Sequence, residues 1–350
     1  MVDLQNGFEG FEKLGPHRRK EKAEEDLMLA REAEKAREAE IKSDGEKAGI
    51  FYESTLSFVT GILDEVKDGR EAGIKTEDIL RWAEDATEWF LNAAKPDDIV
   101  SLVFQHDEYK TDYLYTHSVN VCFLSACMAL GLDFPKDRLR NLSIAALFHD
   151  IGMMRIPMDI WNKNRKLNRS EYEEVQKHVI YGEKIFRNIS GIDPVVAKVI
   201  SQHQEKADGT GYPNHLTKEA TDYLARLVSL INRYEAQTHS RLWRPRFLPD
   251  ATIQQLVDNE YNSYDQYFMK ALLHHITMFP VGAWVKINSG DIGKIVRTNP
   301  EKPMRPVVDI VYNRKGKRLP EPRLMDMSKQ LLVHVEQCID PEGLQGDPDV

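Results

Sequence analysis

Across residues 106–276 almost every apolar run repeats with a helical period, and at residue 279 that period stops. Apolar side chains three and four apart put one stripe of a helix against a core, so this stretch must pack as an all-α bundle. Its breaks are expected at Pro135, over 155–168, at Gly191, over 207–216 and at "RPRFLPD", 244–250. The same period governs 50–105. Phe51, Leu56, Phe58, Val59, Ile62, Leu63 and Val66 form one run; Ile79, Leu80, Trp82, Ala83 and Ala86 form a second, with Gly69 and Gly73 marking the turn between them. After 279 the texture is that of short strands. Val285 and Ile287 alternate with polar neighbours, Ser289-Gly290-Asp291 makes a turn, and "VVDIVY" runs into Asn313, Lys315 and Gly316. A small antiparallel β module over 279–336 follows, with 337–350 expected to be a flexible tail.

The chain has 350 residues, enough for two or three domains and a sizeable core. A net charge of -9 excludes a general nucleic-acid or membrane-surface binder, which needs an excess of Lys and Arg. No stretch is expected to reach the roughly 20 apolar residues of a membrane span, and "MVDLQNGFEGFEKLGPHRRK" has no apolar signal core, so the sequence reads as cytoplasmic. Cys122, Cys127 and Cys338 form no C-x-x-C pair, which suggests neither a zinc knuckle nor a disulfide framework. Residues 1–49 read as a charged arm, rich in Ala, Glu, Lys and Arg over 20–48. That composition suits either a solvated helix or a short coiled-coil helix through which the chain forms a homodimer.

Five side chains are candidates for one centre. They are His117 in "YTHSVNV", His149 and Asp150 in "AALFHDIGMMRIP", His178 in "KHVIYGEKIF" and His203 in "HQEKADGTGYP". Apart from the adjacent pair they stand about 25 to 32 residues apart, as when successive helices of a bundle each offer one ligand to a shared interior point. Burying Asp150 inside an Ala-Leu-Phe run without a cation or a donor would be costly. Its two oxygens can bridge two cations, and a mixed imidazole–carboxylate set suits iron, manganese or zinc better than calcium. His17, His106, His215, His274 and His275 read as ordinary structural histidines.

These motifs, in this order and spacing, closely resemble the HD-GYP family of bacterial phosphodiesterases, with Gly211-Tyr212-Pro213 as the tripeptide in the family's name. The resemblance covers about 106–275, and "FPVGAWVKINSGDIGKIV" is similar to the β extension that follows this domain in many members. It implies an HD-type helical bundle, preceded by a helical region and followed by the β module. It also implies two divalent metal ions, iron or manganese first and zinc or nickel also compatible, and hydrolysis of cyclic di-GMP to the linear dinucleotide or GMP. Asp150 is then the catalytic carboxylate. His117, His149, Asp150 and, more weakly, the amide oxygen of Asn232 hold one ion, and Asp150, His178 and His203 hold the other.

Arg241 and Arg244 match a substrate-contacting arginine pair, Glu205 matches the acid after the family's paired histidines, and the loop at Gly211, Tyr212 and Pro213 matches a substrate lip or a docking surface for diguanylate-cyclase-type partners. Three positions depart from the pattern: Met153 replaces a lysine, Gln204 a second histidine, and Asn232 a metal-binding aspartate. Losing a cation aimed at a phosphate removes an electrostatic contribution of about 3–4 kcal/mol. The expectation is therefore a weakened phosphodiesterase, with a catalytically silent signalling scaffold as the alternative.

Overall fold

The computed structural model describes residues 46–92, 96–105, 113–163, 165–240, 244, 246–276, 278–299, 301–330 and 332–340. The expected arm up to residue 45, with its coiled-coil dimer, His17, His106 and Arg241, lies outside the described residues. Residues 50–350 cluster as one compact unit.

Helix α1 is described over 46–67. Tyr52, Thr55, Val59, Leu63 and Val66 are buried along one stripe of it. That stripe faces α2 (Thr76–Asn92), whose buried Ile79, Trp82, Ala83, Ala86 and Phe90 repeat at helical spacing. Phe58 stacks on Trp82 at 5.6 Å, Phe51 stacks on Trp89 at 4.6 Å, and the Trp82 indole donates to Thr55 Oγ1 at 3.3 Å. After α3 (Pro96–Gln105) comes the central helix α4 (Tyr113–Gly131), on which every residue from His117 to Ala129 is buried. A helix covered on all sides shows no amphipathic stripe, because every face meets protein. By length and a mean hydropathy of 1.2, α4 is apolar enough to cross a membrane, contrary to the expectation from the sequence, but 83% of that window is buried inside the fold.

Helix α5 (Lys136–Leu147) runs into a 3-10 turn at Ile151–Arg155. The expected 155–168 loop contains a single helical turn, α6 (Met158–Trp161). There follow α7 (Arg169–Val175), α8 (His178–Arg187), α9 (Pro194–Gln202), α10 (Tyr223–Thr238), α11 (Pro249–Asn259) and α12 (Gln266–His275). Asn168 and Glu171 form a reciprocal capping box on α7, and Asp193, Asp222 and Asp265 cap α9, α10 and α12 through their carboxylates.

The C-terminal strands β1 (Trp284–Ile287), β2 (Ile292–Arg297), β3 (Val307–Tyr312), β4 (Arg318–Asp326) and β5 (Val335–Ile339) form one antiparallel sheet in the order β4-β3-β2-β1-β5. Its core holds Phe279, Val285, Ile287, Ile295, Val308, Ile310, Met327, Val335 and Cys338. The expected tail from 337 is therefore corrected: residues 337–339 complete a strand that pairs with β1. Asp97 at the start of α3 accepts from Thr298, and Asp250 at the start of α11 accepts from the Cys338 N–H at 2.8 Å. These contacts tie the sheet to the helical part.

Candidate metal centre

His117 lies on the first turns of α4, and His149 stands just past the end of α5 with Asp150 beside it. His178 opens α8, and His203 ends α9. Each of the last three rings uses a carbonyl three residues back: His149 Nδ1 contacts Ala146 O at 2.8 Å, His178 Nδ1 contacts Val175 O at 2.6 Å, and His203 Nδ1 contacts Ile200 O at 2.8 Å. Carbonyls of a final helical turn lack an intrahelical donor, so a ring N–H there satisfies a group the helix leaves open. A carbonyl can only accept; these Nδ1 atoms therefore carry the hydrogen. His117 follows the same logic with a different partner, its Nδ1 making a short hydrogen bond to the Glu235 carboxylate.

With each Nδ1 committed, four Nε2 lone pairs point inward. His117 and His149 Nε2 are 3.3 Å apart, and His178 and His203 Nε2 are 3.4 Å apart. Asp150 stands between the two pairs. Its Oδ2 is 3.4 Å from His149 Nε2 and 3.7 Å from His117 Nε2, while its Oδ1 is 3.1 Å from His178 Nε2 and 3.3 Å from His203 Nε2. Oδ1 is buried and accepts no hydrogen bond from any described residue. In each trio, His117–His149–Asp150 and Asp150–His178–His203, the ligand atoms lie within 4.8 Å of one another. Lone pairs converging on lone pairs repel unless positive charge stands between them, so this donor set fits divalent cations.

Burial and the Asp150–His149 pair set the electrostatics of the cluster. Burial opposes charge on the Asp150 carboxyl, yet the adjacent His149 holds it well below the usual carboxylate range. Burial likewise opposes protonation of His149, and the Asp150 charge outweighs it and raises the imidazole. His203 is pushed down by burial to about 4, which keeps its ring neutral and its lone pair free.

Two glycines allow the approach. A Cβ on Gly152 would sit 1.9 Å from His178 O, so only glycine lets the 3-10 turn touch the start of α8 and bring Asp150 against His178. A Cβ on Gly211 would sit 2.4 Å from Lys206 N and 2.5 Å from Gln204 O, which fixes the Gly-Tyr-Pro loop against the residues following His203. Tyr212 N–H donates to Gln204 O at 3.1 Å, and its ring meets His178 edge-on at 6.3 Å. Glu205 is turned away from the cluster's chemistry and accepts from the N–H groups of Asn214 and Leu216 at 2.7 and 3.0 Å, bracing the same loop.

The departures are placed as follows. Met153 is buried with Leu114 and Ile156 in a small apolar cluster. Gln204 sets its amide 3.3 Å from His203 Nε2. Asn232 is half-buried on α10, one turn before Glu235. Arg244 gives its guanidinium to the carbonyls of Ala236 and Gln237 at the end of α10 and lies over the Phe247 ring at 4.8 Å, the geometry of a helix C-terminal cap.

Sequence reasoning missed Glu235. Only one carboxylate was expected at the centre, and a second, wholly buried one stands behind His117. It also accepts from Asn120 Nδ2 at 3.0 Å, and Asn120 Oδ1 in turn accepts from the Tyr52 hydroxyl of α1 at 2.6 Å. The signal was available: an acid four residues after Ile231, on the stripe of α10 that faces the core.

Residues 102–267 match the HD domain family, and residues 284–347 match the KOW domain associated with the HD domain. Over these two stretches the chain is similar to proteins that join an HD domain to a KOW domain. Among similar proteins, a cyclic di-GMP phosphodiesterase of Pseudomonas aeruginosa is 31% identical over 225 residues, 63% of this chain and 53% of that protein. The cyclic di-GMP phosphodiesterase PdeB of Borreliella burgdorferi is 26% identical over 208 residues, 59% of this chain and 55% of that protein. The chain thus spans about half the length of these curated relatives. An HDG"Y"P protein from Bdellovibrio bacteriovorus shares the fold, with a TM-score of 0.54 and 18% identity over 69% of this chain and 79% of that one.

Proposed function

We propose that the chain is a metal-dependent phosphodiesterase that hydrolyses cyclic di-GMP, with two divalent cations held by the two trios that share Asp150. The observation that carries this reading is the convergence of four Nε2 atoms on the two oxygens of one partly buried carboxylate. His117, His149 and Asp150 would hold one cation, and Asp150, His178 and His203 the other. Iron or manganese matches the donor set best. When bound, such ions neutralise a phosphodiester and lower the pKa of water enough to make it a nucleophile at neutral pH.

The chain's own residues contribute orientation. Carbonyls at three helix ends and Glu235 hold the rings through Nδ1, so every Nε2 faces the shared interior. Asp150 keeps its charge beside His149 and aligns both halves of the site. Gln204 supplies an amide at His203 where a second imidazole would stand, and Asn232 offers an amide oxygen on α10; neutral amides bind cations less strongly than the groups they replace. The Tyr212 loop, braced by Glu205, forms a wall next to His178. It also serves as the docking surface for diguanylate-cyclase-type proteins. The fold otherwise suits a scaffold in which turnover is lost, a reading favoured by Met153, an apolar side chain where phosphate chemistry would use a cation.

Protein purified without oxygen should carry about two equivalents of iron or manganese, and His149→Ala should remove metal. The intact protein should convert cyclic di-GMP to the linear dinucleotide or GMP on chromatography. Bound metal without turnover in added iron or manganese would establish the scaffold reading in its place.

A further inference from the structure

A cavity of about 380 Å³ opens where α1, the first turn of α4 and the 3-10 turn meet. Leu114 and Met153 both line it. Leu114 is one helical turn before His117, and the Met153 N–H donates to Asp150 O at 2.8 Å, so two lining residues are direct neighbours in the fold of two residues of the first trio. Trp161 and Met158 are also in its wall, an aromatic and a thioether side chain, soft polarizable surface of the kind that receives a flat heteroaromatic ring.

Two cations reach this cavity, and they differ. Arg155 is engaged by the Glu71 carboxylate. Lys67, the last residue of α1, is exposed, and its ammonium has no partner among the described residues. The end of α1 is nonetheless fixed in place, because the Tyr115 hydroxyl donates to Asp64 Oδ1 at 2.7 Å, two residues along α4 from His117. A four-carbon stem carrying a strongly hydrated point charge, anchored at the rim of an apolar slot, is suited to a phosphate whose base occupies the slot.

We propose that this cavity is the subsite for one nucleoside half of the substrate, and that Lys67 supplies to its phosphate the positive charge that Met153 does not. The substrate site is then completed from α1, outside the HD domain itself, and the apolar residue at 153 serves as a wall for the base. This rests on the phosphodiesterase reading above and extends it to the substrate's position.

The full chain loaded with manganese tests it through Lys67→Ala, Lys67→Arg and the double variant Lys67→Ala/Met153→Lys. Two measurements are read: kcat/KM for cyclic di-GMP, and GMP affinity by calorimetry. Losing one charge-assisted contact to a phosphate should lower both by about tenfold in Lys67→Ala. Metal content should be unchanged, Lys67→Arg should retain most of both quantities, and the double variant should regain part of the loss. Unchanged kcat/KM and GMP affinity in Lys67→Ala would overturn the proposal while leaving the phosphodiesterase reading intact. Should the unsubstituted chain show no hydrolysis, that reading fails instead, and the GMP titration alone decides the subsite: weaker binding in Lys67→Ala upholds it, and equal binding removes it.

Discussion

Each of the four imidazoles turns one nitrogen to a protein acceptor and the other inward, and only for His117 is that acceptor a side chain. For His149, His178 and His203 the acceptor is a main-chain carbonyl, which no substitution deletes. Glu235 is therefore the position at which orientation can be removed without touching a ligand. Glu235→Gln keeps the shape and the Asn120 neighbour but loses the charge that polarises the His117 ring. Metal affinity measured by chelator competition should fall about 10- to 100-fold, as for other second-layer carboxylates. An unchanged affinity would mean that the carboxylate serves packing alone. The five inner residues were legible in the sequence because His149-Asp150 sits in an apolar run and the others recur at bundle spacing. For Glu235 the sequence showed only an acid on a core-facing stripe; its pairing with His117, 118 residues away, is made by tertiary packing alone.

The elements that were easiest to read are those whose surroundings are uniform along their length. α2 alternates buried and exposed residues at helical spacing, and its partner α1 does the same, so both follow from period alone. β5 escaped for a definable reason. Its residues Val335 and Cys338 are buried with two exposed positions between them, because the register shifts opposite Lys286 and Ile287. A bulge of that kind breaks the period of two on which strand reading depends. Yet β5 covers the β1 edge and closes the small core with Val335 and Cys338. A chain ending before Val335 should lose about 2–4 kcal/mol from those two side chains and expose an unpaired strand edge. Thermal unfolding and light scattering should show a lower midpoint and association of the truncated chain. A truncated chain that melts and scatters like the full one would show that β5 contributes nothing to the sheet.

Across the whole molecule the centre draws on α4, the segment after α5, α8 and α9, with α10 behind His117 and α1 behind Asn120. In the unfolded chain these groups are scattered over more than 80 positions and hold no common cation, so a cation binds the folded state almost exclusively. By mass action, free metal at a hundred times its Kd then adds about 2.7 kcal/mol to stability for one site. The melting midpoint should accordingly rise with manganese concentration, fall on chelation and recover when metal is returned. His149→Ala, which removes a ligand of the first trio, should flatten that dependence. The control separates linkage from a general salt effect, since magnesium at equal ionic strength offers a harder cation that prefers oxygen donors and imidazoles hold poorly. A midpoint that responds equally to manganese and magnesium, or equally in His149→Ala, would mean that the helices are held together without the ions and that the converging lone pairs are not a metal centre.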